Sequence, residues 1–301
     1  MTRWLQKLRA WKRPLQATVA LVLLAALYWA ADWREVVSVI ASLNPLYLLV
    51  AWALFVPQTA VSAWRWSRLV RPAADVPLRD AVRATLAAAA YNLLLPSKLG
   101  DVSKLSVVPS SRRKSGLLWL ALEKGFDVAA LLVLVILGLL GSGWLLLSAI
   151  LLGLLAIGLL ATGRLPGQLG RGWDRWSPVV LSSAVLWSLH MMQIDLFCKA
   201  AGVFVTGDFT LWRIPMAIFA GLVPFTLWGL GTRDAALVGL FSATAPAATM
   251  VTVGLLTATR YLIPGAVGIP FVISRSAERR VPATTAEPPS IDHGALTSIN
   301  G

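Results

Sequence analysis

The chain has one cysteine, two histidines and few charged residues, which make up only 14% of its 301 positions. A single cysteine, Cys198, permits no intramolecular disulfide and no cysteine-based zinc site. With two histidines and no helix carrying several aspartates, the side-chain sets of membrane phosphatases and alcohol phosphotransferases are missing. We therefore expect no metal, no cofactor and no catalytic residue. The alternative is an enzyme whose catalytic residues differ from those two sets.

Apolar residues, by contrast, are abundant. They make up 57% of the chain, the mean hydropathy is +0.72, and several windows are long enough to cross about 30 Å of hydrocarbon. The 27 lysines and arginines outnumber the 14 acids, but they lie between the apolar windows and not along one soluble face. This arrangement indicates a polytopic integral membrane protein and argues against nucleic-acid binding.

The basic clusters predict a topology, because cytoplasmic loops of membrane proteins carry the excess of lysine and arginine. The first 13 residues are basic without any acid, so we expect a cytoplasmic amino terminus. The run 14–31 then forms a first crossing, interpreted as an uncleaved helix and not as a signal peptide. Further crossings are predicted at 45–63, 115–140, 144–161, 178–201 and 246–273. Basic markers of the cytoplasmic side include Arg65, Arg68, Arg71, Arg79, Arg83, Arg112, Arg113 and Lys114.

Two shorter apolar segments are each interrupted by proline, small residues and adjacent charges, at 91–101 and 222–234. Their arms are shorter than the roughly 20 residues that a crossing helix needs. We predict re-entrant helical hairpins, the first entered from the cytoplasm and the second from outside. Two full crossings are the alternative for the second.

The predicted fold class is therefore all-α, with six transmembrane helices and two hairpins in an inverted repeat and with both termini cytoplasmic. The transmembrane domain spans 1–273, with repeats at about 14–141 and 144–273. A polar, proline-rich segment at 274–301 is predicted to be a disordered cytoplasmic tail.

The hairpin tips are the predicted binding site, because hydrocarbon tolerates broken backbone and charge only beside protein or a water-filled cavity. Helix amino termini opening at Gly100 and Gly231 would favour an anion such as a phosphate headgroup, reinforced by nearby cations. Alternatively, Asp101 and Asp234 only cap their helices. The candidate substrate-binding residues are Lys98, Gly100, Asp101, Lys104, Gly229, Gly231, Arg233, Asp234 and Arg260.

Glu123, Lys124 and Asp127 are the candidates for coupling or ion pairing. Arg260 falls near the centre of the last crossing, where an isolated arginine costs about 2.5–3.5 kcal/mol. It needs an acidic partner or an anionic ligand. Two interpretations stay open: a static ion pair with Glu123 or Asp127, or such a pair with which a substrate phosphate or a proton competes. Asp195 and Lys199, four residues apart, are expected to pair with each other.

Four motifs occur in order: Arg65-Trp66, the segment 92–101, Glu123-Lys-Gly-Phe-Asp127, and the segment 229–234. The combination resembles the flippase-like membrane domain family, named from the transmembrane region of lysylphosphatidylglycerol synthetases. Lys98 and Asp101 stand where that family more often has arginine and glutamate, and Lys124 stands where it has arginine. Charge is kept at these positions, while the bidentate geometry of arginine is lost.

The resemblance implies a flippase that moves an anionic phospholipid or a polyprenyl-phosphate-type lipid across the cell (plasma) membrane. Its partners would be membrane lipids with anionic headgroups, and not nucleic acid. The alternative is a non-transporting accessory subunit of a cell-envelope lipid or glycan assembly pathway, with envelope-biosynthesis enzymes as partners. The sequence contains no soluble acyltransferase-like domain, so we expect no transfer of lysine to lipid by this chain.

Overall fold

The computed structural model describes residues 32–162, 173–204, 212–222 and 230–278, together with the isolated positions 18, 22 and 25. This described part is helical and contains no strand, which confirms the predicted all-α class. Its α-helices are α1 Trp33–Ala41, α2 Pro45–Ala53, α3 Phe55–Leu69, α4 Leu78–Leu94, α5 Arg113–Gly141, α6 Leu145–Thr162, α7 Trp173–Ala200, α8 Ile214–Leu222, α9 Thr232–Phe241 and α10 Ala247–Glu278. Between α4 and α5 lie a long 3₁₀ helix, Pro96–Val107, and a short one, Ser110–Arg112.

Four helical stretches are long and apolar enough to cross a membrane: Pro45–Leu69, Ser110–Gly141, Ser177–Ala200 and Ala247–Ser274. They coincide with four of the predicted crossings. The predicted crossing at 144–161 corresponds to α6, which has 18 residues. The first predicted crossing lies outside the described residues, apart from the isolated positions. The chain is thus a membrane protein, and the total of six crossings stays a prediction.

The first predicted hairpin corresponds to α4 and the long 3₁₀ helix, which pack against each other. α4 ends at Leu94 because Leu95 is extended, the conformation that the residue before a proline favours. Pro96 then begins the 3₁₀ helix, where its missing N–H costs no hydrogen bond. A Cβ at Gly100 would lie only 2.5 Å from the Asn92 backbone nitrogen, so glycine allows the two segments to approach closely.

The second predicted hairpin corresponds to α8 and α9, which also pack against each other. Its turn, residues 223–229, lies outside the described residues, and this includes the candidate Gly229. Whether either hairpin is re-entrant stays a prediction.

Helix α10 contacts elements of both predicted hairpins, packing against α4 and against α9. Glycines make these approaches possible. A Cβ at Gly265 would lie 2.5 Å from Leu93 Cδ1, and Gly268 leaves no room for a side chain against the Leu86 carbonyl oxygen. Small residues at helix interfaces serve this purpose in membrane proteins generally. Helix α10 also continues to Glu278, five residues into the segment predicted as a disordered tail, and residues 279–301 lie outside the described part.

Candidate functional site

Six charged side chains from α3, the long 3₁₀ helix and α5 meet in what we call the first charge cluster: Arg65, Asp101, Lys104, Glu123, Lys124 and Asp127. Lys104 Nζ donates to both carboxylate oxygens of Glu123, at 2.9 and 3.2 Å. Arg65 bridges two acids, with Nη2 3.2 Å from Glu123 Oε1 and Nη1 2.8 Å from Asp127 Oδ1. Lys124 forms an ion pair with Asp101 and lies 3.9 Å from Asp127 Oδ2.

Helical periodicity explains why these side chains meet. In a 3₁₀ helix residues three apart lie above one another, so Asp101 and Lys104 form one column along the long 3₁₀ helix. This column reaches Glu123 and Lys124 on α5. Glu123 and Asp127 are four residues apart in an α-helix and therefore share the face that receives Arg65.

The first charge cluster is buried at its centre, while the Lys124 side chain at its edge is 38% exposed, and within the described residues its charges balance. Glu123 is 0% exposed, Arg65 1% and Lys104 3%. Three cations face three carboxylates, and two neutral groups add hydrogen bonds: Asn92 Nδ2 donates to Asp101 at 2.9 Å, and Arg65 Nη1 donates to Ser183 Oγ at 2.9 Å. Paired and hydrogen-bonded charges of this kind are the form in which ions are tolerated in an apolar interior.

The first cluster differs from the sequence expectation in two ways. Gly100 lies inside the long 3₁₀ helix and does not open a helix, because that helix already begins at Pro96. Lys104, expected to face an anionic ligand, instead binds Glu123. The backbone of Lys98 belongs to the same 3₁₀ helix, and its side chain lies outside the described part of the structure.

Arg65 is a residue of the site that the sequence prediction placed elsewhere. The positive-inside rule grouped it with the exposed arginines of a cytoplasmic loop, whereas the structure buries it between α3, α5 and α7. The signal that could have identified it is its position in the Arg65-Trp66 motif. Asn92 likewise begins the motif at 92–101, whereas Ser183 carried no comparable signal, since uncharged polar residues are common in membrane helices.

A second charge cluster lies on α9 and α10 and consists of Arg233, Asp234 and Arg260. Arg233 Nε and Nη2 both donate to Asp234 Oδ1, at 3.0 and 2.7 Å, and Nη2 also donates to the Gly254 carbonyl of α10 at 2.8 Å. Asp234 Oδ2 accepts from the Gly231 backbone N–H at 3.0 Å. Gly231 has φ 88°, a left-handed conformation that favours glycine. The predicted capping of α9 by Asp234 is therefore confirmed.

Arg260 is buried without a counter-charge among the described residues. It is 8% exposed, and its guanidinium carbon lies 5.2 Å from the centre of the Tyr261 ring. No described carboxylate forms an ion pair with it, and Arg233 is close enough for the two positive charges to repel each other. Asp234 is already bound to Arg233 and to the start of α9. Counted over the described residues alone, the second cluster thus holds one cation in excess.

The expected ion pair between Arg260 and Glu123 or Asp127 is not formed. Both carboxylates are occupied by cations of the first charge cluster, Glu123 by Lys104 and Asp127 by Arg65. This removes the interpretation in which Arg260 only joins the two halves of the chain through these acids. The predicted pair Asp195–Lys199 does form, at 2.8 Å.

The sequence matches the family profile described as the lysylphosphatidylglycerol synthase TM region, over residues 15–268. The match includes every residue of both charge clusters. No curated protein was found to match the chain.

Proposed function

Since the chain belongs to the lysylphosphatidylglycerol synthase TM region family, we propose that it is a lipid translocator that receives an anionic headgroup at Arg233 and Arg260. The observation that carries this proposal is Arg260, which is nine-tenths buried and has no acidic partner among the described residues. An uncompensated charge in such a position costs several kcal/mol. An anionic ligand would remove this cost.

The two charge clusters then have different tasks. The first cluster, whose described charges balance, holds the long 3₁₀ helix on α5 and fixes the first hairpin. The second cluster offers its excess positive charge to the ligand, with Asp234 orienting Arg233 through two hydrogen bonds. Lys98, assigned to the headgroup from the sequence, would add to the site from the first hairpin.

In this proposal α10 links the two predicted hairpins, because it packs against both α4 and α9. Six crossings and two re-entrant hairpins in an inverted repeat would allow the two halves to rock about the ligand, as in other transporters with inverted repeats. The protein would lie in the plasma membrane with both termini in the cytoplasm, bind anionic lipids and catalyse no reaction.

Reconstitution into liposomes tests the proposal. Purified protein is inserted into vesicles with fluorescent phosphatidylglycerol, phosphatidylcholine or a short polyprenyl phosphate, and the fraction of label reaching the other leaflet is followed over time. We expect wild-type protein to move an anionic lipid and Arg260→Gln to lose most of that movement. Arg260→Gln is a cleaner variant than Arg233→Gln, since it leaves no carboxylate unpaired among the described residues.

Arg68→Gln is the matched control, because Arg68 is exposed at the end of α3 and outside both clusters. It should move lipid like the wild type. If folded wild-type protein moves no lipid, the translocator proposal fails, and the accessory-subunit alternative takes its place. Capture of an envelope-biosynthesis enzyme by the tagged protein would then be the next experiment.

A further inference from the structure

Helix α1 lies beside the ends of two membrane-spanning stretches. Its last residue, Ala41, is followed by a short link, and Pro45 then begins the stretch that α2 and α3 form. In this link the Asn44 backbone N–H donates to the Ala200 carbonyl oxygen at 2.9 Å. Ala200 is the last residue of the spanning stretch in α7. The link thus lies at the level where one spanning helix ends and another begins.

A third spanning stretch begins at the same place. Val36 of α1 is 2% exposed and packs against Ala248 and Val251, which belong to the first turns of α10. The ends of spanning helices lie at the boundary between hydrocarbon and water. With nine residues, α1 is only about 14 Å long and cannot itself cross the membrane. It therefore lies at the membrane surface, on the side where α10 begins.

The contact with α10 covers only part of the apolar surface of α1. Trp33, Val37 and Ile40 are 60%, 54% and 46% exposed. They follow one another at intervals of four and three residues and therefore share one helix face. Val36 is four residues before Ile40, so the apolar surface continues from the contact with α10 onto this exposed face.

Polar side chains lie on the other side of α1. Arg34, Glu35 and Ser38 are all exposed, and the Arg34 backbone N–H donates to Asp32 Oδ1 at 3.0 Å where the helix begins. Arg34 and Glu35 contribute one charge of each sign. A helix that binds anionic lipid by charge has a polar face rich in lysine and arginine. Apolar contact, and not charge, would therefore hold α1 on the membrane.

We propose that α1 is an interfacial helix that anchors the protein in the headgroup region, with Trp33, Val37 and Ile40 toward the acyl chains and its polar face toward water. Tryptophan is typical of this depth, because its ring is apolar and its N–H is polar. Since Val36 packs on α10, the anchor would hold the first turns of α10 at the membrane surface. This inference does not depend on lipid translocation and applies equally to an accessory subunit.

The test compares two neighbouring positions that lie on different faces of α1. Val37→Cys and Ser38→Cys are each combined with Cys198→Ala, because Cys198 is the one native cysteine. Each variant of the full chain receives a nitroxide label and is reconstituted in phosphatidylcholine liposomes. Electron paramagnetic resonance then measures collisions of the label with oxygen, which concentrates in lipid, and with a water-soluble nickel chelate. We expect oxygen to dominate at position 37 and nickel at position 38.

A second pair of positions makes the result independent of any one variant. Ile40→Cys and Glu35→Cys lie about one turn away on the same two faces and should show the same order. An unchanged elution position of each labelled variant shows that it is folded. High salt should leave the order unchanged, because screening weakens charge interactions and not apolar contact.

Three outcomes would overturn the inference. Collisions with nickel at both positions 37 and 38 would show that α1 stands in water. A label at position 37 that neither reagent reaches would show that protein covers the apolar face, either residues 1–31 or a second copy of the chain. Equal and high collision with oxygen at both positions would show that α1 is surrounded by lipid and has no water-facing side.

Discussion

Glu123 is the residue on which the first charge cluster depends most. Its side chain is fully buried and receives three close contacts, two from Lys104 and one from Arg65. Glu123→Gln keeps the shape but removes the charge, so the three cations of the cluster would face two carboxylates, Asp101 and Asp127, in place of three. Breaking one partner of a buried ion pair costs about 3–5 kcal/mol. We expect a fall of about 6 °C or more in the unfolding temperature of a chain of this size.

A double-mutant cycle separates this charge effect from general damage. Lys104→Met removes the opposite charge and keeps an extended side chain beside the Trp66 ring, which Lys104 Nζ faces at 5.6 Å. In the double variant Arg65 and Lys124 face Asp101 and Asp127, so the charges balance again. The double variant should be less destabilised than the sum of the two single variants by about 1–3 kcal/mol.

The assay is thermal unfolding of the detergent-solubilised protein, followed by the amount of monodisperse protein remaining after heating. Equal expression and an unchanged elution position before heating are the controls for folding. A coupling energy below about 0.5 kcal/mol would mean that Lys104 and Glu123 act independently. The description of a balanced, buried cluster would then be wrong.

Two glycines of α10 give further predictions. Gly254→Ala would bring a Cβ to 2.5 Å from Asp234 Oδ1, so we expect weaker anion binding and a loss of about 1–3 kcal/mol in stability, measured by lipid titration and thermal unfolding. Gly268→Ala would collide with the Leu86 carbonyl oxygen and force α10 away from α4, lowering the unfolding temperature. Gly239→Ala is the matched control, because nothing lies within 4 Å of its Cβ position, and it should be neutral or stabilising by up to about 1 kcal/mol. Equal losses in all three variants would contradict the packing described for α10.

The sequence predicted the helical class and four of the crossings because apolar length is a local property. A window of about 20 apolar residues forms a spanning helix whatever its neighbours are. The interruption before Pro96 was predictable for the same reason, since proline restricts the residue before it. The positions of Arg233 and Asp234 at the start of α9 also followed from the local pattern of glycine and charge.

The pairing of the charges could not be predicted, because it depends on which helix faces which. Arg65 and Glu123 are 58 residues apart, and nothing in the spacing distinguishes that pair from Arg260 with Glu123. The 3₁₀ geometry of residues 96–107 determines which cation binds Glu123. It aligned Asp101 and Lys104 toward α5, where they bind Lys124 and Glu123, and so supplied Glu123 with a nearer cation than Arg260.

The positive-inside rule also failed at one position for a physical reason. It treats every arginine near a helix end as solvated, and Arg68 is exposed as the rule requires. Arg65 lies less than one helical turn earlier on α3 and points into the protein, where two carboxylates compensate its charge. Charge density along the chain carries no information about this inward orientation.

The proposed function requires that Arg260 and Arg233 together receive the anionic headgroup of a lipid. The most direct measurement is a cryo-electron microscopy structure of the protein in nanodiscs that contain phosphatidylglycerol. We expect headgroup density with phosphate oxygens about 3 Å from the Arg260 guanidinium and close to Arg233. An Arg260 that is instead paired with a carboxylate of the protein, such as Asp208 in the segment outside the described residues, would contradict it.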